Sequence, residues 1–407
     1  MNFKKNLFFS SLLLMVALGW AGGAGGCATL ESVLFEEEFD ASSRPTTFKI
    51  LTYNIWHGLH VGPYWVRLDE TPDQQEARFN LQVRQIAEEA PDLIFLQEVN
   101  PLPKQAARLV EALQKFGLEY TEIHQVDACG LRVAQSVALM PDLNNGMVIL
   151  AKPYLKLKKN TAVKILGTFG MCRSTRGFQL EELRYALIGE INWPGTSTKY
   201  LVVNVHKHSG LESSLEFLSK LKEVHAQEEL LDYKAIKKKL KEPVAKRKEG
   251  LAVLNAALQQ LRQNGQYGGV ILAGDFNFEP QSREYQKVVR LGFTDTHDLS
   301  RHQGELFTLD PIANDLIYDG DEPIIPEVLQ TSIAKGSSSS QQELLKGYQE
   351  DMRRPKRIDY IFVDSFFMDT CLHQTLFGRQ LGSDGFPASD HYGVMNALDL
   401  TNKFPTC

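Results

Sequence analysis

The sequence feature that most constrains the fold of this chain is a short apolar run that ends abruptly in polar residues. Val270 to Ala273 are apolar residues that predict a buried strand, and Gly274 lets the backbone turn at its end. Residues two apart on an extended chain face the same side, so Asp275 and Asn277 are expected to point together while Phe276 enters the core. A strand-to-turn junction uses the same residue types, so this stretch alone leaves both interpretations open.

Other predicted strands of the chain end in polar groups in the same way. The predicted strands are 48–56, 93–96, 200–205, 357–363 and 394–398, and the polar residues on or beside their ends are Asn54, Glu98, Asn204, His206, Asp359, Asp390 and His391. A carboxylate such as Glu98 is costly if buried without a partner, and either a bound cation or a cap on the next helix removes that cost. Strands that alternate with helices and end in polar groups predict a layered α/β fold with its site at one edge of a sheet.

The chemistry of these strand ends favours a hard metal ion and phosphoryl transfer. Oxygen donors dominate the set and no cysteine pair has metal-site spacing, which favours Mg²⁺, with Mn²⁺ or another divalent cation as alternatives, over a structural zinc. A histidine paired with a carboxylate can deprotonate water while the cation neutralises charge on phosphoryl oxygens. The Gly-x-Ser-x-Gly and P-loop patterns do not occur in the sequence, so no nucleophilic serine motif competes with this interpretation.

The N-terminus predicts export. Residues 1–26 have the pattern of a secretory signal peptide rather than of a membrane span, because the apolar run from Leu7 to Trp20 is short and is followed by small residues. The end of this segment resembles a bacterial lipoprotein signal, which implies lipidation of Cys27 and makes residues 27–46 a tether. We therefore expect a lipoprotein on the periplasmic or outer-membrane face of a bacterial envelope, or otherwise a secreted protein.

Four further cysteines follow the lipidation site. They are Cys129, Cys172, Cys371 and Cys407. An even number of cysteines in an exported chain permits up to two disulfides, and three full pairings remain open.

A long helical segment separates two of the predicted strands. Residues 211–264 have strongly helical composition, with predicted interruptions at Pro243 and Gly250. A basic run within this segment consists of Lys234, Lys237, Lys238, Lys239, Lys241, Lys246, Arg247 and Lys248. Such runs are usually solvated helix faces, and holding an anionic surface over the site is the alternative. The formal net charge of −6 gives no general attraction to nucleic acid or anionic membranes. A polar stretch at 330–342 predicts a mobile loop.

Six short motifs in order carry a resemblance to a known family. They are Tyr53-Asn54-Ile55-Trp56, Leu96-Gln97-Glu98-Val99, Asn204-Val205-His206, Gly274-Asp275-Phe276-Asn277, Arg357-Ile358-Asp359-Tyr360 and Ser389-Asp390-His391. Together they resemble the ordered motifs of the endonuclease/exonuclease/phosphatase superfamily, over a domain at 47–402 with the helical insert at 211–264. The resemblance implies a DNase I-like, four-layer α/β sandwich of two packed mixed sheets flanked by helices. It also implies a metal-dependent phosphoric diester hydrolase.

The resemblance also implies roles for the metal ligands and the base. Glu98 is expected to hold the metal with Asn54 close by, and Asp390 is expected to lie beside the metal site. His391 is expected to be the general base, oriented by Asp359.

The remaining motif residues are implied to contact the substrate. Asp275 and Asn277 are expected to position the phosphate and the attacking water. His206, together with Asn204, is expected to stabilise the transition state or the leaving group. Arg176 is expected to bind substrate.

The finer motifs look most similar to the sphingomyelinase branch of the superfamily. These motifs are the Asn204-x-His206 pair, the Arg176-Gly177 turn, the aromatic loop at 56–65 and the ending at 389–393. They imply hydrolysis of sphingomyelin to ceramide and phosphocholine at a phospholipid membrane, with no obligate protein partner. Two alternatives remain open: a DNase I-like metal-dependent nuclease that acts on nucleic acid, and a catalytically silent envelope protein that binds lipid or protein. Lys207 departs from the family pattern, which has an apolar residue after the histidine.

Overall fold

The computed structural model describes most of the predicted domain. The described residues are 46–61, 66–68, 70–128, 144–167, 183–193, 196–208, 215–227, 233–300, 306–317, 338–364 and 372–399. The predictions for the signal peptide, the tether up to residue 45, Cys27, Arg176 and the four further cysteines lie outside the described residues. Within these ranges, no helix is both long and apolar enough to cross a membrane.

Fourteen strands and seven α-helices make up the described fold. The strands are β1 Thr47–Asn54, β2 Leu59–Val61, β3 Val66–Leu68, β4 Leu93–Val99, β5 Thr121–Ala128, β6 Asn145–Ala151, β7 Lys158–Leu166, β8 Arg184–Asn192, β9 Lys199–His206, β10 Tyr267–Asp275, β11 Phe293–Asp295, β12 Asp359–Asp364, β13 Leu372–Phe377 and β14 Gly393–Asp399. The helices are α1 Pro72–Glu89, α2 Lys104–Gln114, α3 Leu215–Gln227, α4 Tyr233–Asn264, α5 Arg283–Arg290, α6 Thr296–Leu299 and α7 Ser339–Arg353. The short 3₁₀ helices are Pro153–Leu155 and Asp315–Ile317.

Two six-stranded mixed sheets have similar connectivity. The first sheet has the order β13-β14-β1-β4-β6-β5, and the second has the order β11-β12-β10-β9-β8-β7. Each sheet contains one parallel pair near its centre, β1 with β4 and β9 with β10, and its other neighbouring strands pair antiparallel. The crossover inside each parallel pair is helical, α1 in the first sheet and α3 with α4 in the second. The polar ends of the parallel strands therefore lie at one edge of each sheet.

The apolar periodicity of the strands gives each sheet two buried faces. The faces that meet between the sheets contribute a shared core that includes Phe95, Val202 and Ile271. The outer face of the first sheet packs against α1 and α2, and the outer face of the second sheet packs against α4 and α5. These layers confirm the predicted four-layer α/β sandwich.

Helix α4 runs without a break through the two residues that were predicted to interrupt it. That prediction is wrong for a local reason at each position. Pro243 is buried inside the helix, where packing offsets the hydrogen bond that proline cannot donate. Gly250 lies where α4 approaches β7 so closely that a Cβ would be 2.9 Å from the carbonyl oxygen of Ile165. The glycine therefore permits close packing of the helix on the sheet rather than ending the helix.

The described part of the predicted loop at 330–342 is the start of a helix, so the loop prediction is wrong there. Helix α7 begins at Ser339, and the side chain of Ser338 accepts a hydrogen bond of 3.3 Å from the backbone N–H of Gln341. Serine clusters are frequent in loops, but a serine is also a favourable N-cap. Residues 330–337 lie outside the described residues.

Candidate active site

The strand register brings the predicted site residues to one edge of the sandwich. In the second sheet, Asp275 at the end of β10 pairs with His206 on one side and with Asp359 on the other. In the first sheet, Asn54 ends β1, beside the end of β4 that carries Glu98. The amide of Asn54 donates to Glu98 Oε1 and to Asp275 Oδ2, both at 3.2 Å, so it joins the catalytic edges of the two sheets.

The side chain of Glu98 points to this edge because β4 is irregular at this position. The pairing of β4 with β6 shifts register between Leu96 and Val99, and Glu98 has a positive φ of 59°. A bulge of this kind commonly re-aims a side chain next to an active site. The carboxylate of Glu98 also accepts a hydrogen bond of 3.2 Å from the backbone N–H of His57.

The surroundings of Glu98 keep it ionised. Burial raises the pKa of this carboxyl, but the imidazoles of His57, His206 and His391 and the hydrogen bond from Asn54 outweigh burial and hold the pKa below its usual range. The side chain is 14% exposed, and His57 Nε2 lies 3.5 Å from Oε2. Glu98 is therefore a carboxylate at neutral pH that can bind a cation.

Asp275 and Asn277 lie together as predicted, but through a turn rather than through an extended chain, because β10 ends at Asp275 and Asn277 has a positive φ of 51°. The backbone N–H of Asn277 donates to Asp275 Oδ1 at 2.8 Å, and its amide donates to Asp275 Oδ2 at 3.1 Å. Burial and the nearby charge of Asp359 raise the pKa of Asp275 to about 8. Asp275 thus lies in a region where negative charge is in excess.

A histidine–carboxylate pair completes the edge. His391 Nδ1 lies 2.9 Å from Asp359 Oδ2, and the Asp359 side chain is fully buried. Burial alone lowers the pKa of His391, but the charges of Asp359, Asp390 and Asp275 raise it well above its ordinary value. The hydrogen bond to Asp359 places a proton on Nδ1, so Nε2 is the nitrogen that exchanges a proton with water or substrate.

His206 has the opposite hydrogen-bonding pattern. Arg184 Nη1 lies 2.8 Å from His206 Nδ1, and a guanidinium can only donate, so Nδ1 accepts and Nε2 carries the proton. His206 Nε2 lies 3.6 Å from both Glu98 Oε1 and Asp275 Oδ2. His206 therefore presents an N–H donor to the centre of the site.

Asn204 lies deeper than the other predicted site residues. Its amide donates to the carbonyl oxygens of Leu96 and Val148, both at 2.9 Å, and its oxygen accepts from Gln97 at 2.7 Å. Asn204 has no exposed surface. The structure therefore favours a positioning role for Asn204, which ties the two sheets together beneath His206. The predicted contact of Asn204 with the reacting group is less favoured.

The donor set at this edge fits a divalent cation. Glu98, Asp275, Asp359 and Asp390 bring four carboxyl groups together, and burial together with neighbouring negative charge raises the pKa values of Asp275 and Asp390. Asp359 Oδ1 is buried without a hydrogen-bond partner among the described residues. Such an excess of oxygen ligands and negative charge is what Mg²⁺ or Mn²⁺ offsets.

Two groups of residues could hold the ion. Ligand atoms of Asp275, Asp359 and His391 lie within 4.8 Å of one another. In that group, however, the histidine is already hydrogen-bonded to Asp359. The second group is Glu98 with Asn54 beside it.

Several residues of the site carried no signal in the sequence. Arg184 reaches His206 from the neighbouring antiparallel strand, and His57 reaches Glu98 from the turn after β1. Thr308 Oγ1 accepts hydrogen bonds of 3.1 Å from the backbone N–H groups of Ile358 and Asp359. Asn54, Asp275 and His391 belong to recognisable sequence motifs. The contacts of Arg184, His57 and Thr308 instead depend on strand register and on the paths of loops, which the sequence does not reveal.

Lys207, next to His206, is a buried lysine that the chemistry of the site does not use. Its side chain is 1% exposed and its Nζ has no hydrogen-bond partner among the residues that the structure describes. Nζ lies under α4, where a Cβ on Gly250 would be 3.3 Å from it. Burial, together with the charge of Lys287, lowers the pKa of Lys207 to about 7.

Replacing Lys207 with methionine is expected to stabilise the protein at pH 7 by about 4 kcal/mol, because each unit of pKa shift corresponds to about 1.4 kcal/mol. The pKa of Lys207 falls from 10.5 to about 7 on folding, so the unfolded chain binds more protons between these values. Wild-type stability therefore rises with pH through this window, and the advantage of Lys207→Met shrinks towards pH 10. Urea unfolding at several pH values measures both effects.

The exposed Lys241→Met is the control, with an expected change within about 0.5 kcal/mol at every pH. A Lys207→Met protein that is less stable than wild type across the whole range would show that the buried ammonium group has a partner.

The fold and site together define a phosphoric ester hydrolase of the four-layer sandwich type, with a histidine–carboxylate pair facing a cation site. The chain belongs to the Endonuclease/Exonuclease/phosphatase family, whose model matches residues 51–391. Members of this family are metal-dependent phosphoric ester hydrolases. A search of curated proteins gives no match.

The solved structures to which the chain is similar are distant in sequence. Truncated TDP2 from Caenorhabditis elegans is 17% identical, with 87% of this chain and 97% of that chain covered and a TM-score of 0.46. A family member from Leptotrichia buccalis C-1013-b is 17% identical, with 87% of this chain and 100% of that chain covered and a TM-score of 0.49. A mannosyl-6-phosphatase from Bacteroides thetaiotaomicron is 12% identical, with 86% of this chain and 99% of that chain covered and a TM-score of 0.48.

Proposed function

We propose that this chain is an exported, divalent-metal-dependent phosphodiesterase that hydrolyses the headgroup ester of a phospholipid, with sphingomyelin as the model substrate. The observation that carries the proposal is the pair of histidines with opposite hydrogen-bonding patterns. His391 is bound through Nδ1 to a carboxylate, and His206 is bound through Nδ1 to a guanidinium. One histidine is thereby arranged to accept a proton and the other to donate a hydrogen bond, as hydrolysis of a phosphodiester requires.

The residues of the site divide the reaction between them. After His391 loses its second proton, Nε2 accepts a proton from the attacking water, and Asp359 orients the ring and stabilises the imidazolium that forms. The N–H of His206 stabilises charge on a phosphoryl oxygen or on the leaving oxygen. A divalent cation bound at Glu98 and Asn54 supplies charge neutralisation to the phosphoryl group.

The choice of a lipid rests on sequence features rather than on the shared catalytic centre. The Asn204-x-His206 pair and the ending at 389–393 resemble the sphingomyelinase branch. The predicted lipidation at Cys27 locates the enzyme at a membrane, and the net charge of −6 gives no general attraction to nucleic acid. A nuclease uses the same chemistry and is the competing activity in the experiment below.

Phosphocholine release from sphingomyelin vesicles tests the proposal. We expect the chain without residues 1–27 to release phosphocholine in the presence of Mg²⁺ and to lose this activity in EDTA. Glu98→Ala is expected to be inactive under the same conditions. Cleavage of plasmid DNA without phosphocholine release would assign the nuclease activity instead, and a chain that is inactive on both substrates would contradict the proposal.

A further inference from the structure

Three helical segments form a separate small core joined to the catalytic edge. We call residues 215–227, 233–249 and 339–353 the helical module; they comprise α3, the first half of α4, and α7. Its core consists of Phe217, Leu221, Val224, Ile236, Leu240, Leu344 and Tyr348. Helix α3 is the first described helix after His206, and α7 is the last before Asp359. The module is therefore connected to the catalytic edge on both sides.

One face of α4 in this module is a stripe of lysines. Lys234, Lys237, Lys238 and Lys241 are spaced i, i+3, i+4 and i+7, and all four are exposed. Residues at this spacing share one face of a helix, and the stripe extends about 10 Å along it. Ile236 and Leu240, on the opposite face, are buried in the core of the module. We call these four residues the lysine stripe.

The charge of the stripe is not compensated within the described protein. Residues 234–248 contain eight lysines and arginines and one glutamate, in a chain whose formal net charge is −6. That glutamate, Glu242, pairs with Lys246 at 3.0 Å and lies 3.9 Å from Lys239, both outside the stripe. None of the four stripe lysines has an acidic partner within the part of the chain that the structure describes.

This arrangement opposes helix stability. Lys234 with Lys238, and Lys237 with Lys241, are like charges one helical turn apart, which destabilise a helix by about 0.2–0.5 kcal/mol per pair. Helix α3 contains Lys220 and Lys222 together with Glu216 and Glu223, so the excess positive charge of the module lies on α4. A polyanionic partner would remove this repulsion.

We propose that the helical module docks on an anionic phospholipid surface through the lysine stripe. The inference rests on the proposed function, because docking brings the catalytic edge to a bilayer that contains the substrate. Each lysine near an anionic membrane surface contributes about 1 kcal/mol of attraction, which is roughly a fivefold gain in partitioning.

The aromatic residues of the module favour a lipid surface over single-stranded nucleic acid. Phe217 and Tyr348 are buried, and Tyr233 stacks on His225 with ring centroids 3.9 Å apart. These rings do not offer the open faces on which unpaired bases stack. The stripe consists of lysines, which act as point charges, whereas arginines recognise phosphates through paired hydrogen bonds.

Binding to vesicles tests the proposal without using catalysis. The mature chain, beginning at residue 28, is mixed with phosphatidylcholine vesicles containing about 30% phosphatidylglycerol at low salt, where screening is weak. Substitution of all four stripe lysines by glutamine is expected to lower partitioning at least about tenfold, and raised salt is expected to release the wild type. Hydrolysis of soluble p-nitrophenyl phosphocholine is expected to be unchanged, because the stripe is not part of the catalytic edge.

The matched control removes four exposed lysines from the opposite edge of the sandwich. They are Lys115, Lys156, Lys158 and Lys199, and their substitution by glutamine is expected to change partitioning less than about twofold. Glu98→Ala is expected to bind vesicles like the wild type, because docking does not require hydrolysis. A wild-type protein that docks through the stripe but releases no phosphocholine would support the surface and refute only the proposed substrate. Vesicle binding that does not depend on the stripe overturns the proposal. So does a stripe variant that loses affinity for a DNA duplex but not for vesicles.

Discussion

Replacement of His391 by alanine is expected to lower kcat for phosphodiester hydrolysis by about 10²- to 10⁴-fold, the usual contribution of a positioned general base. His391 Nδ1 lies 2.9 Å from a fully buried carboxylate, which fixes the ring and leaves Nε2 for proton transfer. Substrate binding is expected to change little, because a cation held by Glu98 would attract the phosphate independently of this ring. The measurement is kcat and KM with saturating divalent cation.

Replacement of Asp359 by asparagine separates orientation from charge. Burial lowers the pKa of His391, and the charge of Asp359 is the largest influence that raises it. The base acts only after losing its extra proton, so wild-type activity rises with pH through the pKa of His391. Removing the Asp359 charge is therefore expected to move this acid limb to lower pH while kcat falls.

For each of the two variants, one outcome would contradict the prediction. An Asp359→Asn enzyme with an unshifted acid limb would show that another group controls the pH dependence. A folded His391→Ala enzyme with normal kcat would remove His391 from the reaction. Near-ultraviolet circular dichroism verifies that each variant keeps native packing.

Much of the site could be predicted because each catalytic group stands directly at the end of a buried apolar strand. Asp275 follows a run of buried residues and Phe276 enters the core as predicted, whereas a turn at the strand end brings Asn277 back beside the carboxylate. The sandwich itself was predicted from the family motifs, which occur on strands of both sheets. Local pattern and motif order therefore determined which edge carries the chemistry.

The remaining features depend on tertiary contacts that have no local pattern. Arg184 controls the tautomer of His206 only because β8 pairs antiparallel with β9. Alternation predicted that Asn204 shares a face with His206, but not that it would be enclosed between the sheets. Gly250 was interpreted as a helix breaker because its packing partner, β7, is remote in sequence.

Conversion of Glu98 to glutamine is expected to have an effect comparable to that of His391→Ala, by a different route. Glutamine keeps the shape of the side chain and its contact with Asn54 but removes the charge. We expect kcat to fall by about 10²- to 10³-fold, the scale of losing one electrostatic stabiliser of a transition state. We also expect the Mn²⁺ concentration for half-maximal binding, measured by calorimetry without substrate, to rise at least about tenfold.

The calorimetric result decides between the two groups of potential ligands. If Glu98 holds the ion, Glu98→Gln weakens Mn²⁺ binding, whereas His391→Ala leaves it nearly unchanged because His391 is engaged with Asp359. The opposite pattern would place the ion at Asp275, Asp359 and His391, whose ligand atoms lie within 4.8 Å of one another. Glu111→Gln, at an exposed position on α2, is the control for removal of one carboxylate and is expected to change neither binding nor turnover. A cation bound at Glu98 would also offset the mutual repulsion of the four neighbouring carboxyl groups at this edge.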